Sequence, residues 1–452
     1  MSKNYVKFFC LVGCIFAFSM GISAEDASPN KEEEKWYDTL KLSGMIRIRP
    51  EIKSNTGFAD KAANEYDFIG QKAWISLSAN PLKNLKLLIT VQDSRLWGGE
   101  TGSMTGLGTT SPDNLGLREA FFDLGLFEDS QFHIIAGRQK IEYGDQRLFG
   151  SLEWNNVGRS FDALKLKWET GNNTLSLWSS ALQESNSLDA PQVSAGKGLG
   201  DIFYYGLYNT MKLDDLLLAD VYYASKINIL DSSTLKLHTA GMRLTDKSIK
   251  NQTVNNFPVD YTLEGAYQFG TRSSKTISAY AAALALGYTF GSDMKIRFGV
   301  EGDIASGDTD STDKKFETFD NLFPTNHGHY GQADMMSWQN MLGGSANIGI
   351  AFSKKLSAVV SYWYLSRLVA ADNWYTVAGG FLTSNQGWIT GTSGASKSLF
   401  LGHEIDITVK TEISSHFLFE GGYSIVLPGT APTDAGHNAP YHFAYVSAMA
   451  KF

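Results

Sequence analysis

Residues 294–304 read Met-Lys-Ile-Arg-Phe-Gly-Val-Glu-Gly-Asp-Ile, and in this stretch ionic and apolar side chains alternate. Successive residues of a β-strand point to opposite faces, so one face is apolar and the other charged. The apolar face carries Ile296, Phe298, Val300 and Ile304, and the charged face carries Lys295, Arg297, Glu301 and Asp303. Segments 40–50 and 399–409 repeat the pattern, with His403 interrupting the apolar face of the second. A soluble β-sandwich and a membrane barrel would both show this alternation.

The rest of the 452-residue chain divides into similar segments separated by turn residues. About eighteen strands are predicted, each close to the ten residues typical of outer-membrane barrels. They cover 40–50, 69–79, 84–93, 117–126, 131–138, 161–169, 174–184, 202–211, 216–224, 235–245, 257–270, 276–290, 294–304, 339–352, 355–367, 398–410, 415–426 and 440–452.

The lengths of the connections choose between the two folds. Tight turns are predicted at Asn80–Lys83, Phe127–Ser130, Gly171–Asn173, Lys212–Asp215, Gly291–Asp293 and Ser353–Lys354. Long connections alternate with them at 51–68, 94–116, 139–160, 185–201, 305–338 and 368–397; the exceptions are 246–256 and 271–275. A soluble sandwich has no reason to sort its loops in this way. The fold class is therefore all-β: a single transmembrane antiparallel β-barrel with short periplasmic turns and long external loops.

The charged faces then have to point into the lumen, because a basic residue at the bilayer midplane costs about 2–4 kcal/mol. Aromatic residues near strand ends are expected to form interfacial girdles. The candidates are Trp74, Trp168, Trp178, Tyr204, Tyr205, Tyr222, Tyr223, Tyr362, Trp363 and Tyr364. Phe452 ends the chain on an alternating strand, a feature that the outer-membrane assembly machinery reads.

Residues 1–24 have the features of a secretory signal peptide: two lysines, an apolar run and a small residue at Ala24. The domain prediction is a signal peptide at 1–24, a periplasmic tail at 25–39 and the barrel at 40–452. Lipidation of Cys14 is the alternative to cleavage after Ala24. Cleavage there would leave no cysteine, hence no disulfide and no thiol chemistry. The predicted location is the outer membrane of a Gram-negative-type bacterium, in contact with its lipid.

The net charge of −8 argues against nucleic acid as a partner. No nucleotide-binding loop, paired-histidine metalloprotease motif or G-x-S-x-G elbow is present, so no cofactor and no enzymatic activity are predicted. Three aspartates, Asp308, Asp310 and Asp313, are weak candidates for a calcium site, with a solvated acidic loop as the alternative. His327 and His329 could approach one metal but lack a third partner, and packing within the loop is the alternative.

Residues 137–168 read GRQKIEYGDQRLFGSLEWNNVGRSFDALKLKW. This stretch resembles the alginate export family of outer-membrane proteins, whose signature has GRQ, then YGD-x-R-L, then W-x-N-x-GR-x-F-D entering a strand. Further likeness lies at 322–331, 401–406, 422–424 and 428–429, in order and at sensible spacing. The resemblance implies an eighteen-stranded barrel, in agreement with the strand count, and a monomer.

The resemblance also implies a lumen of arginines with acidic partners that passes a polyuronate. The matching candidates are Arg138, Asp145, Arg147, Arg159 and Asp162; the strand patterns add Arg47, Arg49, Arg297, Glu301, Glu404 and Asp406. Arginine grips carboxylates in bidentate fashion, and acidic neighbours prevent a solute from binding too tightly to leave. Alternatively, these Arg–Asp pairs are fixed cross-links that fold the 139–160 loop inward as a brace.

A channel for polar or anionic solutes is the leading functional hypothesis. It includes export of an acidic polysaccharide such as alginate, although the chain has only 11 arginines and a negative charge. The alternatives are a general or substrate-specific porin for small anions or sugars, an outer-membrane hydrolase, and a surface adhesin that uses loops 305–338 and 368–397.

Overall fold

The structure is a computed structural model of the chain. It describes residues 35–58, 65–97, 115–127, 130–183, 201–214, 216–229, 234–246, 258–325, 327–377 and 398–452. The predicted signal peptide, and with it the question of Cys14, lies outside the described residues. Of the predicted tail, Trp36–Thr39 forms a short 3-10 turn.

Eighteen long antiparallel strands form one closed sheet, in which each strand pairs with its neighbours along the chain and β1 pairs with β19. A two-residue strand, β14, lies in a loop and pairs with β12. The strands are β1 Lys41–Ser54, β2 Tyr66–Leu82, β3 Leu85–Leu96, β4 Gly116–Gly125, β5 Phe132–Gln139, β6 Phe161–Glu169, β7 Asn173–Gln183, β8 Asp201–Lys212, β9 Leu217–Ile229, β10 Leu235–Asp246, β11 Val259–Arg272, β12 Lys275–Phe290, β13 Lys295–Ala305, β14 Lys315–Phe316, β15 Met341–Ala351, β16 Leu356–Ser366, β17 Phe400–Ser414, β18 Phe417–Pro428 and β19 Tyr441–Lys451.

The burial pattern of the strands is the reverse of that in a soluble protein. In β1, Arg47 and Arg49 are buried at 5% and 3% exposure, whereas Ile46 and Ile52 are 50% and 55% exposed. A sandwich would bury the isoleucines and expose the arginines. The apolar face therefore meets lipid and the ionic face meets the lumen, which is the arrangement of a membrane barrel.

All eighteen predicted strands are confirmed, with ends within five residues of those expected. The connection pattern is also confirmed, and the end with the short turns is the periplasmic one. The first predicted turn was misplaced: β2 runs to Leu82, and the chain turns at Lys83 and Asn84. Most of the 246–256 connection lies outside the described residues.

The prediction of aromatic girdles was wrong for half of its candidates. Neighbours such as Tyr222 and Tyr223 point to opposite sides of the wall, with exposures of 2% and 38%. The members that face the lumen are Trp74, Trp178, Tyr204, Tyr222 and Trp363. On the outer surface, Tyr223 and Tyr362 each make a 2.7 Å hydrogen bond to a histidine of the next strand, His238 and His403 respectively. The period of two along each strand, and not clustering in the sequence, decides which face an aromatic side chain lies on.

Among the described residues, no helix is both long and apolar enough to span a bilayer.

Candidate functional site in the lumen

The connection between β5 and β6, residues 140–160, folds into the barrel and contacts opposite walls; we call it the brace. Its C-terminal half is held by β1 and β2, and its N-terminal half by β10 and β13. In a ring of eighteen strands, β1 and β10 are nine strands apart in either direction. The brace therefore crosses the full diameter of the lumen.

Two arginines of β1 hold the backbone of the brace at Trp154. Arg47 and Arg49 donate to the Trp154 carbonyl at 2.8 Å and 2.7 Å. The Arg49 guanidinium also lies 3.8 Å from the centre of the indole ring, in cation–π contact. Arg47 bonds in addition to the carbonyls of Glu153 and Asn155. Arginine suits this role because its planar fork serves several acceptors at once.

Glu153 is the electrostatic anchor at this end of the brace. Its carboxylate accepts from Lys72 at 3.0 Å, Arg118 at 2.5 Å and Lys140 at 3.1 Å. Burial alone would raise the pKa of Glu153, but these three cations outweigh it and lower the pKa to about 2. The carboxylate is therefore ionised throughout the physiological range.

The opposite end of the brace is held by two arginine–carboxylate clusters. Asp145 accepts from Arg243 of β10 at 3.1 Å, and Arg243 also bonds Asp220 of β9 at 2.7 Å. Arg147 of the brace bonds Asp303 of β13 at 3.0 Å and also contacts Glu301.

Arg147 is enclosed on every side, with 4% of its side chain exposed. Burial by itself would lower its pKa, but Tyr330, Asp303 and Glu301 together raise it well above the usual value. The guanidinium is thus permanently charged and acts as a fixed cross-link between the brace and the wall.

A second loop, residues 306–340, packs against the brace along a short backbone ladder. The Gly150 amide donates to the Phe323 carbonyl and the Thr325 amide to the Gln146 carbonyl, both at 2.8 Å. Arg159 donates to the carbonyls of Gly150 and Pro324 at 3.0 Å, which joins the two loops. This loop also contacts the wall at β17, where the Ala333 amide donates to Glu404 at 2.8 Å. Together the loops narrow the lumen far more than the strand count alone would suggest.

Aromatic side chains fill the space between the brace and strands β7–β9. Phe149 packs edge-on against Trp178, Tyr208 and Tyr222, with ring centres 5.3–5.8 Å apart. Tyr143 stacks on Tyr208 at 4.5 Å. Tyr143 is half-buried and the other four rings are buried, so they hold the brace in place and offer little surface to a passing solute.

The assignment of Arg138 and Asp162 to the lumen was wrong. They form an ion pair of 3.0 Å, and Asp162 is 66% exposed on the outer face, between the inward-facing Phe161 and Ala163. Gly137 of the same motif is required by the backbone: its φ is +123°, and a Cβ would lie 2.2 Å from the Ala120 carbonyl oxygen. This part of the motif is therefore structural.

The other strand candidates face the lumen. Arg297 bonds Asp260 at 2.8 Å and Asn347 at 3.1 Å on the inner wall. Glu404 and Asp406 lie side by side on β17, buried beneath the 306–340 loop. They are separate from the brace's own anchors.

The calcium hypothesis has no support in the geometry. Asp308, Asp310 and Asp313 each accept a backbone amide two residues further on, as in Asx turns. No group of three His, Cys, Asp or Glu side chains in the described part of the chain could hold a metal ion.

Both histidines of this loop are packed within it. His327 stacks on Trp154 at 3.6 Å and bonds Asp334. His329 bonds the Asp145 carbonyl at 2.8 Å, and burial together with Arg147 lowers its pKa to about 3. Neutral at physiological pH, His329 can only donate to that carbonyl.

Sequence reasoning missed three wall residues that hold the brace, Lys72, Arg118 and Arg243, and Asp220, which bonds Arg243. Within the brace it missed Glu153 and Trp154. The signal that could have found the strand residues was an isolated ionic side chain on the inward face of a strand, as at Lys72 in β2. The acceptors in the brace carry no such signal, since three of them are backbone carbonyls.

A closed barrel with a lipid-facing apolar surface and a loop-constricted charged lumen defines an outer-membrane channel. The profile of the alginate export family matches residues 38–444, and the chain belongs to that family. No curated protein sequence matches it.

Several solved barrels share the fold at low sequence identity. Pseudomonas aeruginosa OccD3 (OpdP) is 11% identical, with a TM-score of 0.59 over 93% of this chain and 92% of that one. Pseudomonas aeruginosa OpdK with vanillate is 13% identical, with a TM-score of 0.57 over 92% and 99%. Acinetobacter baumannii OccAB1 is 12% identical, with a TM-score of 0.56 over 94% and 99%.

Proposed function

We propose that this outer-membrane channel conducts small polar solutes, with a preference for anions, and that it does not pass a polysaccharide. The observation that carries the proposal is the attachment of the brace to β1 and β10, on opposite sides of the lumen. A polymer needs a continuous wide passage, whereas the brace and the 306–340 loop divide this one. Small solutes need only the gaps beside them.

Segregated charges around the brace support the preference for anions. The wall of β1, β2 and β4 contributes Arg47, Arg49, Lys72 and Arg118. Among the described residues Arg47 bonds only to neutral oxygens, so no carboxylate in contact cancels its charge. The facing wall, β9 to β13, contributes Asp220, Glu264, Glu301 and Asp303, and its arginines Arg243 and Arg297 are each bonded to an aspartate. These cations are buried against the brace, so their field, rather than direct contact, would draw an anion toward this side of the constriction.

Vanillate, the molecule with which OpdK was solved, is a small carboxylate. At 13% identity the likeness concerns the fold, and a small carboxylate in a barrel of this fold supports the proposed class of solute.

Planar-bilayer recording combined with liposome swelling tests the proposal. We expect discrete conductance steps, a reversal potential on the anion side in a salt gradient, and swelling with monosaccharides and monocarboxylates but not with long uronate oligomers. Passage of uronate polymers, or insertion without any conductance, would contradict it.

No observation favours the hydrolase. The described histidine rings bond other groups: His133, for example, bonds the Asp123 carboxylate and the Ser130 carbonyl. Of the two adhesin loops, 305–338 is turned into the lumen, and residues 378–397 of the other lie outside the described part. We further propose a monomer, assembled through recognition of the strand that ends at Phe452; light scattering of the detergent-solubilised protein tests the first point.

A further inference from the structure

A cavity of about 280 Å³ lies between the inner wall of β9–β12 and loop residues 316–320, near the external end of the barrel. None of the side chains that clamp the brace lines it. Its lining includes Lys226, Leu237, Arg272, Ile277, Phe316 and Asp320.

Arg272 is the group in this cavity that can bind an anion. Its guanidinium carbon lies 4.4 Å from the centre of the Phe316 ring. In the described part of the chain it pairs with no carboxylate. A guanidinium stacked on a ring keeps its N–H donors at the edge of its plane, free for a bidentate contact. The Phe316 ring therefore orients the Arg272 guanidinium, and its N–H groups can still donate to a ligand.

The second cation, Lys226, is only partly neutralised. Its ammonium lies 3.4 Å from the Asp320 carboxylate, a long contact for a charged pair. Two cations and one carboxylate leave a net charge of +1 in the lining. The Asn228 amide oxygen is buried there with no hydrogen-bond partner among the described residues.

The remaining wall is apolar and sets the shape of the ligand. Leu237 and Ile277 are 2% and 3% exposed, and the Phe316 ring forms a flat side. The volume falls just below the range of about 300–1,000 Å³ for pockets of drug-sized ligands. It therefore suits one ring with a carboxylate better than an oligosaccharide.

The two shortest external connections of the barrel join strands that line this cavity. Five residues, 230–234, join β9 to β10, and two, 273–274, join β11 to β12. Every other external connection has at least eleven residues.

We propose that this cavity binds small organic anions, each with one carboxylate on a compact, mainly apolar body, at the external mouth of the channel. Arg272 takes the carboxylate and the Leu237–Ile277–Phe316 wall takes the body. The inference deepens the proposed function by naming a capture site, but binding here does not require conduction.

Calorimetric titration of the full barrel in detergent tests the site, with benzoate as the probe and benzyl alcohol as its neutral analogue. We expect saturable binding of benzoate at one site and at least tenfold weaker binding of benzyl alcohol. Equal affinity for the two, or no saturable binding of benzoate, would overturn the proposal.

Two variants with opposite expected signs separate the site from general damage to the protein. Arg272→Gln should weaken benzoate binding at least tenfold, because a charged bidentate contact is lost. Asp320→Asn should tighten it several-fold, since it removes the competing carboxylate and frees Lys226. A misfolded protein cannot bind benzoate more tightly. If Arg272→Gln does not fold, the result for Asp320→Asn therefore tests the proposal. Arg95→Gln, on the outer face of β3 beside Asp93, is the matched control and should change nothing.

Bilayer recording distinguishes this inference from the proposed function. Benzoate binding without conductance would refute the channel proposal and leave the site standing. Conductance with no effect of Arg272→Gln on benzoate binding would refute the site and leave the channel standing.

Discussion

Replacement of Arg147 by glutamine tests whether the brace constricts the lumen. The guanidinium is the only cation that contacts Glu301 and Asp303 among the described residues, and it reaches the first in a short ion pair and the second at 3.0 Å. Glutamine removes the charge and leaves a neutral amide on a shorter side chain. Two adjacent carboxylates would then be left facing the brace without a counter-ion, and the brace would be repelled from β13.

The expected magnitude follows from burial. The side chains of Arg147 and Asp303 are 4% and 0% exposed, so solvent screens this pair little. Removing one partner of a buried ion pair costs about 3–5 kcal/mol. Each 1.4 kcal/mol is roughly a factor of ten, so the undocked population of the brace should rise by about two to three and a half orders of magnitude.

Single-channel recording is the measurement. We expect the variant to visit conductance levels above the wild-type level, with longer dwell times there, and to admit larger sugars in liposome swelling. The triple variant Arg147→Gln, Glu301→Gln, Asp303→Asn is the matched control. It removes the unpaired charges as well, and it should return the current toward the wild-type level.

A variant that is folded, shown by its heat-dependent mobility in electrophoresis, yet has wild-type conductance and size cut-off would refute the role of the brace as the constriction. Equal behaviour of the single and triple variants would refute the electrostatic reason given for it.

Three further predictions concern the other attachments. The folded-state pKa of Glu153 is about 2, below the ordinary value of 4.5. Its contribution to docking of the brace is therefore complete above pH about 4.5 and is lost as the pH falls through about 2. We expect the current to become noisy only below pH about 3, and Glu153→Gln should remove this acid transition. Trp154→Ala removes the stack on His327 and should destabilise docking by about 1–3 kcal/mol, seen as flickering between conductance levels at neutral pH. Arg138→Ala breaks the exposed pair with Asp162 and the hydrogen bond to the Leu117 carbonyl, which should cost about 1–2 kcal/mol with conductance and selectivity unchanged; a shift in reversal potential would contradict the placement of this pair on the outer face.

The positions of the strands, and which side chains point inward or outward, could be predicted from the sequence because both depend on local periodicity. The alternation in 294–304 placed Arg297, Glu301 and Asp303 on one face, and all three face the lumen. The same rule, applied to 161–163, would have placed Asp162 opposite Phe161 and so outside. The error at Arg138 and Asp162 came from carrying a family motif over as a unit, although its members lie on both sides of the wall.

The contacts across the lumen could not be predicted from the sequence. Trp154 and Arg47 are 107 positions apart, and Asp145 and Arg243 are 98 apart. Nothing in the neighbourhood of either residue encodes its partner.

By itself, the sequence determined an eighteen-stranded membrane barrel, the face of each strand that meets lipid, and the alternation of short and long connections. Each of these depends on residues a few positions apart. Only the tertiary structure decided that residues 140–160 cross the lumen from β1 to β10 and that most of the predicted arginines hold this segment. Closing the sheet is what brings opposite walls within reach of one loop, and closure is a property of the whole ring that no single segment carries.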